Sequence, residues 1–192
     1  MQIRYPIDLT VEEYIEQKAW EQAKLDHCPF HPDGGCGYTK HGTYPRKFPE
    51  YCLVVRYYCP ESRQTISLLP DFFASRFSGT LDKVEQVVNI AESSSSQEEA
   101  AFTLRPEISL PAGLRWLRRR IKYVKEILTI LTGLLATECS PELSSYREVH
   151  NTKNVLTGLR DIAGEYLQSL PPIVGFGPRS CGRYCHLSSS NN

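Results

Sequence analysis

Cys28-Pro29-Phe30-His31, then Cys36, then Cys59-Pro60-Glu61-Ser62-Arg63-Gln64-Thr65-Ile66-Ser67-Leu68-Leu69-Pro70 mark out the stretch whose reading decides the fold. Between the two Cys-Pro turns runs Tyr51-Cys52-Leu53-Val54-Val55-Arg56-Tyr57-Tyr58-Cys59, rich in β-branched and aromatic residues and the clearest strand in the chain. Gln64 to Leu69 reads as a further strand that Pro70 ends. Gly37 to His41 and Tyr44 to Lys47 read as a tight hairpin across Gly42-Thr43. A module this thin has little core of its own, and inward-facing thiolates on stiff turns give it a reason to fold.

Two Cys-Pro turns flanking a hairpin are the pattern of a zinc ribbon, which ordinarily carries two Cys-x-x-Cys pairs. Here the first turn offers Cys28 and His31, with Cys36 following the Gly34-Gly35 pair. The second offers Cys59, with Ser62 where another thiolate would stand. Serine stays protonated at neutral pH and is a poor zinc ligand. The remaining tetrahedral solution is Cys28, His31, Cys36 and Cys59 around one zinc ion. The alternative is a degenerate ribbon in which Cys28, Cys36 and Cys59 are small buried hydrophobes. Cys52 reads as core, and His27 and His41 are spare ligand candidates. Cys181, Cys185 and His186 form a second cluster without a fourth partner, and Cys139 has no evident role.

Outward from this module the chain divides into an N-terminal polar helix (1–26), the ribbon-like β module (27–72), a helical domain (79–137), a C-terminal helical region (140–170) and a Pro-, Gly- and Ser-rich tail (171–192). Thr10 with Glu13 forms a capping box at the first helix. Leu81, Val84, Val87, Val88 and Ala91 recur at helical spacing, and Ser96 with Glu99 opens a short helix ending at Leu104. Pro111 suits the first turn of a long helix whose seam is Leu114, Leu117, Ile121, Val124 and Leu128. A supporting helix, a short helix, a compact turn and this long helix outline a helix-turn-helix. The expected class is therefore α+β, a small antiparallel zinc-ribbon-like module followed by a helix-turn-helix-like domain.

The run Arg115-Trp116-Leu117-Arg118-Arg119-Arg120-Ile121-Lys122 is the densest positive stretch in a chain whose formal net charge is zero. With the apolar seam inward, Arg115, Arg119 and Lys122 point outward, Arg118 and Arg120 flank the seam, and Trp116 sits to one side. Arginines so placed neutralise phosphates or read guanine in a major groove. The bland alternative is a solvated helix face. The expected partner is double-stranded DNA, with a second chain docking through the Leu114–Leu128 seam as the alternative. Cys28 with His31 or Cys185 with His186 supplies no activating third group, so a nucleophilic enzyme is disfavoured. The chain starts without a signal-like apolar run, and Ile127 to Ala136 is about half a membrane span. With seven cysteines to keep reduced, the cytoplasm is the expected compartment.

The motifs Cys28 to Gly37, His41-Gly42-Thr43-Tyr44, Tyr58-Cys59-Pro60, Thr65 to Asp71 and Leu114 to Arg120 together resemble an uncharacterised bacterial family of transposase-associated zinc-ribbon proteins. That resemblance implies a non-catalytic DNA-binding role, with ribbon and helix-turn-helix gripping the ends of a mobile element. The chain departs from the pattern at Ser62. After Glu138 it also lacks a strand scaffold for the three carboxylates that an RNase H-like transposase domain would need.

Overall fold

The computed structural model describes residues 1–136 and 139–171. The fold is α+β. Strands β1 (Gln2–Tyr5), β2 (Thr39–Pro45), β3 (Leu53–Cys59) and β4 (Gln64–Pro70) form one sheet in the order β1-β4-β3-β2. Helices α1 (Val11–Glu16), α2 (Leu81–Ser93), α3 (Gln97–Leu104), α4 (Leu110–Leu135), α5 (Leu143–His150) and α6 (Val155–Ala163) account for the rest, with short 3-10 turns at Ala19–Glu21 and Gly164–Ser169.

Three sequence expectations change at the β module. The N-terminal segment is not one polar helix. It begins with β1, which lies parallel to β4 in the register Gln2 to Ser67 through Tyr5 to Pro70. The sheet is therefore mixed rather than wholly antiparallel. Only α1, one and a half turns long, carries the capping box, with Thr10 Oγ1 accepting from the Glu13 amide and Glu13 Oε2 from the Thr10 amide. Gly42-Thr43 is also not the turn of a hairpin. Residues 39–45 form a single strand paired with β3, and the irregularity falls between Lys40 and Thr43, where Gly42 has φ of +96°. A bulge absorbs the glycine while the strand continues.

The N-terminal segment covers one face of the sheet. Val55, Tyr57, Cys59, Ile66 and Leu68 pack with Tyr14, Trp20 and Ala23 of the N-terminal segment. Tyr14 donates to the Leu53 carbonyl at 3.0 Å, and Tyr57 donates to that of Ala23 at 3.4 Å. These bonds satisfy the two buried phenols and pin the segment onto the strands. The second face carries Tyr44, Arg56 and Ser67 and looks toward the helices.

After Pro70 a tight turn brings the chain into α2, with Thr80 capping the helix through the Lys83 amide. The central stretch of α4 is buried through Leu117, Val124, Ile127, Leu128 and Leu131. Near its start Gly113 and Leu117 meet the small residues Ala100 and Ala101 of α3, which permit close approach. Further along, α4 packs on α2, α5 and α6 in a core of Val84, Leu143, Tyr146, Leu156 and Leu159. The C-terminal region is thus two helices, and their apolar faces complete the helical core. Within the Leu114–Leu128 seam, Leu117, Val124 and Leu128 are buried inside the chain, and Leu114 and Ile121 are partly buried.

Candidate metal centre and basic helix

The first turn is built by backbone geometry. The His31 amide donates to the Cys28 carbonyl at 3.0 Å, and the Gly34 amide donates to that of His31 at 3.0 Å. Gly34 and Gly35 then take φ of +85° and +83°, a region other residues adopt at a cost, and the chain doubles back to deliver Cys36. Tyr38 and Tyr57 tie this loop to the sheet, the first donating to the Leu25 carbonyl at 2.9 Å and the second accepting from the Leu25 amide at 3.3 Å. Cys59, the last residue of β3, faces the loop from the sheet side.

The result is a cluster of Cys28, His31, Cys36 and Cys59 whose ligand atoms all lie within 4.8 Å of one another. His31 Nδ1 is 3.7 Å from Cys28 Sγ and 3.5 Å from Cys59 Sγ. A tetrahedron with metal–sulfur bonds of about 2.3 Å and a metal–nitrogen bond of about 2.0 Å has a sulfur–nitrogen edge of about 3.6 Å. Four donors at this spacing fit one metal ion. The three cysteines are buried, and all five described cysteines are free thiols.

The surroundings favour the ligating form. Burial pushes the Cys59 thiol up, but the Ser62 hydroxyl dipole, the Ser62 amide at 3.5 Å and the Cys28 and Cys36 thiols bring it down to about 6. Cys36 moves the other way, raised by its burial and by the neighbouring thiols. On the far side of the imidazole, His31 Nε2 lies 3.4 Å from Glu61 Oε2. A carboxylate there holds the proton on Nε2 and leaves the Nδ1 lone pair for a metal. Glu61 is the neighbour of the cluster that sequence reading missed. It stands beside a recognised turn, but only the fold shows that it faces His31.

Cys52 is fully buried away from this cluster, and burial pushes its thiol up to about 11. It is core, as its alternation on the strand suggests. His27 and His41 are exposed and outside the cluster, and His41 leans on Tyr58 at 5.6 Å. Cys139 is buried in the helical core. Cys181, Cys185 and His186 lie outside the described residues.

On α4 the side chains of Arg115, Arg118, Arg119 and Lys122 are exposed. They are not equivalent. Arg118 faces α3, donating to Gln97 at 2.9 Å and lying 3.8 Å from Glu98. Arg119 lies over the Phe77 ring at 5.3 Å. Arg115 and Lys122 have no carboxylate partner among the described residues. Arg120 is buried, its guanidinium 4.0 Å from the Trp116 ring centre and 4.7 Å from that of Phe77. Burial, with Arg105 and Arg119 nearby, lowers its pKa to about 10. No helix among the described residues is long and apolar enough to cross a membrane. No family model, curated protein or solved structure matches this chain.

Proposed function

We propose that this chain is a non-catalytic DNA-binding protein whose β module is held by one zinc ion and whose helix α4 meets duplex DNA. Three thiolates and one imidazole are a donor set that suits zinc over the oxygen-seeking cations. The cluster takes all four donors from this chain and leaves no open coordination position, which marks a structural rather than a hydrolytic metal. A reducing cytosol suits these free thiols. A role at the ends of a mobile element is the setting that the ribbon and basic-helix resemblance suggests.

The observation that carries the DNA reading is the outer face of α4. Arg115, Arg119 and Lys122 stand within two helical turns, exposed and without carboxylate partners among the described residues. Cations left unneutralised on a rigid helix release counterions when they meet phosphate.

The test is fluorescence anisotropy of the zinc-loaded protein with random duplex DNA across a salt series. Binding should weaken steeply with salt. The double variant Arg115→Ala/Lys122→Ala should bind more weakly and reduce the salt slope by about one unit per residue removed. No affinity at low salt, or an unchanged slope in the variant, overturns this assignment of α4.

A further inference from the structure

A groove of roughly 1160 Å³ runs between the second face of the sheet and the helical part of the chain. Its floor is the outward pleat of β2, β3 and β4, with Tyr44, Arg56 and Ser67 side by side. Its wall is the turn at Arg76–Ser78, and Arg119 of α4 closes one side. The lining has a single sign of charge. Arg46, Lys47, Arg56, Arg76 and Arg119 all contribute, and among the described residues no aspartate or glutamate does. In a chain with equal numbers of acidic and basic residues, this is a concentrated field.

These cations are prepared but unneutralised. The Arg56 guanidinium lies over the Tyr44 ring at 5.1 Å, and its Nε is buried without a hydrogen-bond partner. Arg46 is anchored by donating to the Phe77 carbonyl at 3.0 Å, yet its Nε is also buried and unpartnered. Half-buried guanidinium groups, each with an unpartnered Nε, beside a space that no carboxylate among the described residues lines, suit an external anion. Aromatic rings accompany them. Phe48 is 50% exposed at the rim, with Lys47 over its ring at 6.0 Å, and Tyr44 forms part of the floor.

We propose that this groove binds a short stretch of single-stranded nucleic acid, its phosphates on Arg56, Arg76 and Arg119 and its bases stacked on Tyr44 and Phe48. Alternating cations and ring faces on an open sheet surface are the means by which unpaired strands are held. A space of about 1160 Å³ suits a few unpaired nucleotides, not a turn of duplex. The proposal rests on the nucleic-acid reading for its class of ligand. It uses different residues, with Arg119 alone shared between α4's outer face and the groove.

The experiment measures anisotropy of labelled ten-nucleotide dT and rU strands with the full zinc-loaded chain, beside the random duplex. At least one strand should bind with salt-dependent affinity, and the two arms show whether DNA or RNA is preferred. Arg56→Ala/Arg76→Ala should lower the salt slope by about 0.7 for each phosphate left without its arginine. Tyr44→Leu should weaken strand binding roughly 5- to 150-fold with little change of slope. Arg115→Ala/Lys122→Ala should leave strand binding intact. Arg76→Glu, at an exposed position, gives the same readout should Arg56→Ala reduce zinc content. Failure of both strands to bind at low salt, or wild-type strand affinity in the groove variants, overturns the proposal. Strand binding that survives while the duplex shows no affinity overturns the α4 reading alone.

Discussion

His31 presents its two ring nitrogens to different partners, Nδ1 to two thiols and Nε2 to Glu61. A ligand fixed on both sides holds its tautomer, so Glu61 should matter although it touches no metal. Glu61→Ala is expected to lower zinc affinity about 10- to 100-fold, read by competition with a chromophoric chelator, while Glu61→Gln should keep more of it. The clustering of these four donors was legible in the sequence because their chemistry is rare and the glycine pair explains how Cys36 returns. Glu61 was not, because a contact between residues on two separate turns leaves no periodic trace. Arg120 escaped for a related reason. A helical wheel places it beside the seam, but only the arrival of Phe77 next to Trp116 provides the aromatic surfaces that cover a buried guanidinium.

Among the elements, α6 depends on another helix for its cap. Its own Asn154 supplies no side-chain bond, and Glu85 of α2 does so instead, accepting from the Val155 and Leu156 amides at 3.1 and 2.9 Å. The same buried carboxylate accepts from Arg147 of α5 at 2.7 Å, so one side chain joins three helices. Glu85→Ala should destabilise the protein by about 2–5 kcal/mol in denaturant titration, because it leaves two buried helix-terminal amides without an acceptor and Arg147 held, among the described residues, by Asn89 alone. A loss below about 1 kcal/mol would mean that water replaces the carboxylate at little cost. The helices were readable from their spacing, and α3 and α4 begin where Ser96 and Pro111 indicate, while the Thr80 cap of α2 went unread. Strand β1 was not readable. Four residues give too short a pattern, and their support comes from parallel pairing with β4 and from Arg4 meeting Asp71 at 3.1 Å.

The described residues form separate apolar cores, one beneath the sheet and two among the helices. The four-donor cluster belongs to the first. If zinc occupies it as proposed, removing the metal should act unevenly. With a strong chelator, amide exchange is expected to accelerate in β2, β3 and β4 while α5 and α6 stay protected. Equal loss of protection everywhere would show instead that the cores unfold as one unit. Sequence reading set the strands apart from the helices because their periodicities differ, two along the strands and nearly four along the helices. It missed the groove between them, which exists only once Arg56 and Arg119 face the same space.

One consequence concerns how copies of this molecule meet each other. A sheet has two borders, and bare borders invite other strands to add on. Here one border is β1, only four residues long. The other is β2, exposed along most of its length. The break in register after Lys40 bends β2, and Pro45 ends it without an amide to offer. Neither border presents the long, even ladder on which a neighbour's strand would align. The sheet therefore offers other molecules its face and not its rim, and crowding should not readily stitch copies into fibres.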